Sequence, residues 1–344
     1  MTGNGRALRA GEWVEVRSAE EIFATLDAAG RLEALPFMPE MLQYCGKRFR
    51  VFKSAHKTCD TIKDWKTMRR MPQAVHLVGL RCDGSAHGGC EAGCLLFWKE
   101  AWLKPVRGPA TSDEPAGTPS EERPVVGRVG SHCDGAGLVR ATRVRGAEGD
   151  EPDERYRCQA TELVEATTPL RRWDPRPYLK DLASGNVRFL DFVRYVAIAA
   201  FNAVMRMHWR GRPYPYIRGL AEGPTPNDVL NLQPGEMVQV RSKNEIMRTI
   251  NENQKNRGLW FDVEMVPYCD RTFQVLRRVE TIINEKTGKM MRLPNACLVL
   301  ADVTCGGCLS QHRLFCPRGI YPFWREVWLK RVGKPALNSV TSSA

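Results

Sequence analysis

The sequence predicts a mostly β chain with added helix, organised as two duplicated small β-barrel domains with a helical insert between them. Three observations carry this. Shifted by 224 residues, the stretch 11–53 matches 235–277 without a gap. Each copy opens on strand-like alternation, and the span between the copies contains a long apolar run at helical spacing.

The match includes Gly11/Gly235, Val14/Val238, Val16/Val240, Glu21/Glu245, Ile22/Ile246, Thr25/Thr249, Phe37/Phe261, Glu40/Glu264, Met41/Met265, Tyr44/Tyr268, Cys45/Cys269 and Phe49/Phe273. Seventeen identities stand where chance gives roughly three. The period is far too long for a solenoid, so the units are duplicated domains. A second shared stretch closes each copy. Cys90 precedes Trp98-Lys-Glu-Ala-Trp102-Leu103 by the same interval at which Cys316 precedes Trp324-Arg-Glu-Val-Trp328-Leu329. The tryptophans are expected in the core.

Glu12–Arg17 and Glu236–Arg241 alternate apolar and polar side chains, as a half-buried strand requires. Ser18 and Ser242 each stand three residues before a glutamate, Glu21 and Glu245, the spacing of a capping box at a helix start. Further strands are expected at 49–52 and 273–276, then at 75–78 and 297–300. The Gly-Glu-x-Val-x-Val-Arg opening and the later Met-x-x-Tyr-Cys-x-x-x-Phe-x-Val stretch resemble the SH3-like barrel modules of uncharacterised duplicated bacterial proteins. The resemblance covers about forty residues per copy and implies a binding platform without an activity.

Residues 1–104 form the first repeat and 223–334 the second. The stretch 105–154, rich in Pro, Gly, Ser, Thr and acid, reads as a disordered linker because it offers little apolar surface to bury. Cys133 within it is expected as an exposed thiol. Residues 155–222 form a helical connecting segment, and 335–344 a disordered tail. Within the segment, Leu190–Met207 predicts a helix packed on a barrel; its uninterrupted apolar part is too short to span a bilayer. Membrane association is disfavoured, an interfacial helix flanked by Arg188, Arg206 and Arg210 being the second reading. Arg171-Arg-Trp173 and Trp209-Arg-Gly-Arg212 mix cations with aromatics, read first as surface arginines over buried rings.

The net charge is +12, with +5 in 155–234 and +6 in 235–332 against −4 in 105–154. Such a surplus suits nucleic acid or another polyanion. Met1–Ala10 lacks the apolar core of a signal peptide, which predicts a cytoplasmic location and reduced thiols.

Aligning the closing stretches pairs Cys82 with Cys305, His87 with His312 and Cys90 with Cys316; Cys45 already pairs with Cys269. Three thiolates and an imidazole form a structural zinc set. Two Zn2+ sites are therefore expected, Cys45, Cys82, His87 and Cys90 in one, Cys269, Cys305, His312 and Cys316 in the other. Cys94 or Cys308 could replace a ligand. The leading functional expectation is a zinc-stabilised tandem-module binding or scaffolding protein with a protein partner. Nucleic-acid binding through the basic middle and second repeat comes next. A metal- or thiol-dependent enzyme is third, with Glu40/Glu264 and Glu100/Glu326 as the duplicated acids it would draw on.

Overall fold

The computed structural model describes residues 6–64, 67–109, 134–145, 154–171, 174–208, 211–310 and 312–332. The chain is mostly β with some helices, and it divides into two compact units. One comprises Met1–Gly211, Thr281–Arg292 and Gly306–Ile320; the other comprises Arg212–Glu280, Leu293–Cys305 and Tyr321–Ala344.

The first unit is built on a curled sheet with the strand order Leu95–Lys99, Ala74–Arg81, Arg48–Ser54, Trp13–Val16, Leu103–Val106. Alternation in Trp13–Val16 buries Val14 and Val16 completely, because successive side chains of a strand point to opposite faces. Val14 lies opposite Phe49 on one neighbour, and Val16 opposite Leu103 on the other. Gly11 takes φ +87°, a left-handed conformation that suits glycine, and its N–H reaches Val51 O at 2.8 Å. The helix Ala19–Phe23 starts on the expected capping box: Ser18 Oγ accepts from Glu21 N, and the Glu21 carboxylate accepts from Ser18 N.

The second unit repeats this register. Val238 faces Phe273 and Val240 faces Leu329 in a sheet ordered Met290–Leu300, Thr272–Ile283, Met237–Val240, Leu329–Arg331. Gly235 has φ +89° and donates to Val275 O at 2.8 Å, and Ser242 with Glu245 forms the same capping box. The repeated tryptophans are core residues, all four of them fully buried. Trp102 meets Phe37 edge-on at 5.2 Å and donates its indole N–H to Thr25 Oγ1; Trp328 meets Phe261 at 5.3 Å and donates to Thr249 Oγ1.

The strands expected at 49–52, 75–78, 273–276 and 297–300 lie within longer observed ones, whereas those expected at 12–17 and 236–241 are each observed one residue shorter at both ends. The strand expected at 273–276 runs twelve residues, Thr272–Ile283, where its counterpart Arg48–Ser54 is interrupted by a bulge between Val51 and Lys53. Beyond the bulge the first copy enters a separate small sheet, Lys57–Cys59 with Met68–Arg70 and Thr168–Pro169.

Two expectations are corrected. Part of the supposed linker is ordered: Gly135–Ala141 is a helix capped by Asp134 that buries Leu138 in the first unit's core, and Arg143–Arg145 pairs with Glu154–Tyr156. One short apolar pair, Leu138-Val139, was diluted by the polar composition around it. The long helix, Phe189–Met207, is present, but much of its apolar surface is not packed on a barrel. Leu190, Val193, Phe201, Val204 and Met207 are exposed, whereas Asn202 is buried and Phe192 stacks on Phe315 at 5.3 Å. Among the described residues no helix is long and apolar enough to cross a membrane. His132, Cys133, Arg172, Trp173, Trp209, Arg210 and the tail 335–344 lie outside the described residues.

The connecting segment belongs to the first unit as far as Gly211. Gln159 caps the sheet edge, accepting from Phe97 N and donating to Phe97 O and Pro36 O. An open edge of unpaired backbone groups is thereby closed. Asn186 does the same for Ser54 N and O.

Two buried histidines make the first unit acid-sensitive. Burial holds His56 down to about 4 and His76 down to about 3, so both are neutral in the fold. An unfolded chain takes up those protons below its ordinary histidine range, so stability present at neutral pH is lost as pH falls from about 6.5 toward 4. The urea midpoint should drop over that window by the equivalent of about 6 kcal/mol for the two together, and His56→Gln should flatten the dependence. Truncating Trp102 to Ala should cost about 3–5 kcal/mol in the same measurement.

Candidate metal centre

The strand Ala74–Arg81 delivers Cys82 to the start of a tight loop, where Cys82 N donates to Cys94 O at 2.8 Å. At Gly84, φ is +77°, and a Cβ there would run into the backbone of Cys90. That close approach, with His87 N and Gly89 N both donating to Gly84 O, folds the loop back and buries His87. Its Nε2 comes to rest 3.3 Å from Cys82 Sγ.

The third donor comes from the 3-10 helix Pro39–Tyr44, which turns Glu40 inward. Glu40 Oε1 lies 3.9 Å from His87 Nδ1, and single donor atoms of Glu40, Cys82 and His87 all lie within 4.8 Å of one another. Neither Glu40 oxygen, nor His87 Nδ1, has a well-formed hydrogen bond. An unpartnered buried polar group costs on the order of 1–3 kcal/mol, and more if it is charged. The protein avoids the larger penalty by neutralisation: burial pushes the Glu40 carboxyl and the Cys82 thiol up and the His87 imidazole down. A cation at their centre would reverse the shifts of Glu40 and Cys82 and reinforce that of His87, since it favours the deprotonated form of each ligand.

Cys82 and His87 also line a cavity of about 30 Å3 together with Cys90, Cys94 and Cys158. Burial raises Cys94 to about 11 and Cys158 to about 12, and both thiols act electrostatically on Cys82. Cys90 Sγ accepts a hydrogen bond from Ile283 N at 3.3 Å.

Of the first expected set, then, Cys82 and His87 are brought together, and Cys90 shares their cavity. Cys45 does not line it. It caps the 3-10 helix, donating its N–H to Leu42 O, and Glu40 from the same helix points to the site instead. Cys269 holds the equivalent cap, donating to Val266 O.

The second set is divided between the units, Cys269 and Cys305 in one, His312 and Cys316 in the other. Cys305 follows Thr304, whose backbone is bound by the Tyr268 hydroxyl, and the Cys316 sulfur is engaged by Cys59. Among the described residues, Glu40, Cys82 and His87 form the one group with three donors in ligating reach.

Glu326 is a fold clamp: its carboxylate accepts from the N–H groups of Leu230, Asn231 and Leu232 and from Arg278. Sequence reasoning weighed Glu40 only as an acid or base and Cys94 only as a substitute. Cys158 gave no signal, because it lies outside the repeat.

The Glu40 carboxyl supplies a test. Its raised folded-state value means the protonated form contributes stability at low pH that is lost as pH rises through that value. In metal-free protein at pH 7, Glu40→Gln should therefore raise the urea midpoint, by the equivalent of about 1 kcal/mol.

No family model, curated protein or solved structure matches the chain.

Proposed function

We propose that this chain is a zinc-stabilised binding or scaffolding protein built on two copies of an SH3-like module, with its metal held in the first unit by Cys82, His87 and Glu40. The observation that carries the reading is the convergence of three donors, two of them, Glu40 and His87, buried and lacking well-formed hydrogen bonds. A thiolate, an imidazole and a carboxylate are all zinc ligands, and the metal's preference for four leaves one position to fill. Cys94, one residue before the strand Leu95–Lys99, and Cys158 line the same cavity and are the side chains that would have to move in to fill it. Zinc there would tie the Cys82–Cys90 loop to the 3-10 helix and convert an electrostatic liability into a clamp. Joined in one chain, two related modules raise each other's effective concentration at a shared partner.

Metal analysis of the purified full chain tests this, with thermal melts before and after chelation. One zinc per chain is expected, lost in Cys82→Ala and His87→Ala and retained in Cys45→Ala and Cys269→Ala, with Tm falling on chelation. No bound metal, and no rise in Tm when zinc is returned, would overturn it.

A second reading rests on the same geometry. Cys82 Sγ beside His87 Nε2, with Glu40 beyond Nδ1, is the order of nucleophile, base and orienting acid. Burial opposes it by holding the thiol protonated. Rapid alkylation of Cys82 by iodoacetamide at pH 7 in the metal-free protein would favour this reading; slow alkylation favours zinc.

A further inference from the structure

A different pair of thiols lies elsewhere in the first unit and takes no part in the metal centre. Cys59 ends the short strand Lys57–Cys59, and Cys316 sits in the loop that leads to Arg318. The two side chains are hydrogen-bonded to each other, and with Met68 they form a small buried cluster of their own. The Cys316 sulfur also takes backbone hydrogen bonds from Cys59 and Arg318.

Two buried basic side chains flank the pair. Arg318, held by Thr61 Oγ1 and Glu285, acts on both sulfurs, and Lys57 acts on Cys316 while donating to Leu314 O and Asp181. Backbone N–H donors and nearby positive charge are what stabilise a thiolate. The hydrogen bond from the Cys59 side chain holds the Cys316 thiol below its ordinary range, helped by the backbone donors and Arg318, although burial alone would push it up.

We propose that Cys59 and Cys316 form a reversible disulfide, with hydrogen peroxide as the oxidant. The Cys316 thiolate attacks one peroxide oxygen, the O–O bond breaks, and hydroxide leaves; the sulfur, oxidised by two electrons, becomes a sulfenic acid. Cys59 then attacks that sulfur, the S–S bond forms as the S–O bond breaks, and the Cys59 proton leaves with the departing hydroxide as water. In sum, two thiols and one peroxide give one disulfide and two waters. A water-sized oxidant suits sulfurs this buried, where a bulky disulfide reagent would be shut out. A dithiol returns the pair to its reduced form by exchange when the fold opens far enough to admit it.

The full-length protein, treated with a small excess of peroxide, alkylated and digested without reductant, is read by peptide mass spectrometry. The expected product is a peptide linking Cys59 to Cys316, two hydrogens lighter than the separate peptides and abolished by dithiothreitol. In Cys59→Ser, Cys316 has no resolving partner, and dimedone, added with denaturant after the peroxide so that it reaches the buried sulfur, should trap its sulfenic acid several-fold more than in the parent. The parent digest does not depend on how well that variant folds. A parent in which Cys316 stays alkylatable while other cysteines oxidise, or in which dimedone labels Cys316 as strongly as in Cys59→Ser, would overturn the proposal. Since Cys82, His87 and Glu40 play no part, the outcome is separate from that of the zinc assay.

Discussion

Each copy is organised around an edge-to-face contact between one phenylalanine and two tryptophans. Phe37 stands 6.2 and 5.2 Å from Trp98 and Trp102, and Phe261 stands 6.3 and 5.3 Å from Trp324 and Trp328. Close-packed interiors tolerate little change in volume, so holding these rings constrains everything they touch. The final tryptophan of each copy needs a partner for its buried N–H, which accounts for Thr25 and Thr249. Its carbonyl accepts from Arg17 N or Arg241 N, fixing the strand that follows beside the opening one. A second pair, Tyr44 with Phe49 at 5.6 Å and Tyr268 with Phe273 at 5.7 Å, fastens the 3-10 helix to the same sheet. The shared residues are in large part those needed to build and close this core.

Beyond that core the copies part company. The first unit holds three ion pairs with buried members: Lys57 against Asp181, Arg69 against Asp60, and Arg318 beside the partly exposed Glu285. Buried ion pairs return about as much as their desolvation costs, so they contribute little to net stability; breaking one, however, leaves an uncompensated charge and is expensive. They therefore fix which segments meet rather than how tightly. Lys57 anchors Asp181 and the carbonyl of Leu314 at once, and Arg69 reaches Val164 O and Thr167 O. Segments remote in sequence are assembled around the first sheet by such polar contacts.

Much of the local structure was legible in the sequence because it depends on local chemistry. Alternation at Trp13–Val16, the Ser18/Glu21 capping box and the apolar run at Phe189–Met207 are each determined within a few residues. What escaped depends on neighbours far along the chain. The orientation of the long helix is set by partners such as Phe315, which its own periodicity does not register. The helix Gly135–Ala141 exists because Leu138 finds a core to enter. Gln159 closes a sheet edge formed by residues some sixty positions earlier.

The site shows where comparison of the two copies helps and where it misleads. Residues shared by both repeats are retained for what both repeats do, and both of them fold. Cys45 and Cys269 satisfy that filter because each occupies the cap of a 3-10 helix, and a cap is a fold position. Glu40 passes it too, and its burial beside Cys82 and His87 sets it apart from a solvated acid. Cys94 and Cys158 fail the filter, having no counterpart in the second copy, yet they line the cavity. Duplication supplies the scaffold twice, whereas a dense donor cluster is visible in the first unit alone among the described residues. In a duplicated chain of this kind the shared residues locate the frame and, at Glu40, Cys82 and His87, the donor cluster as well, while the unshared thiols Cys94 and Cys158 add to the lining around it.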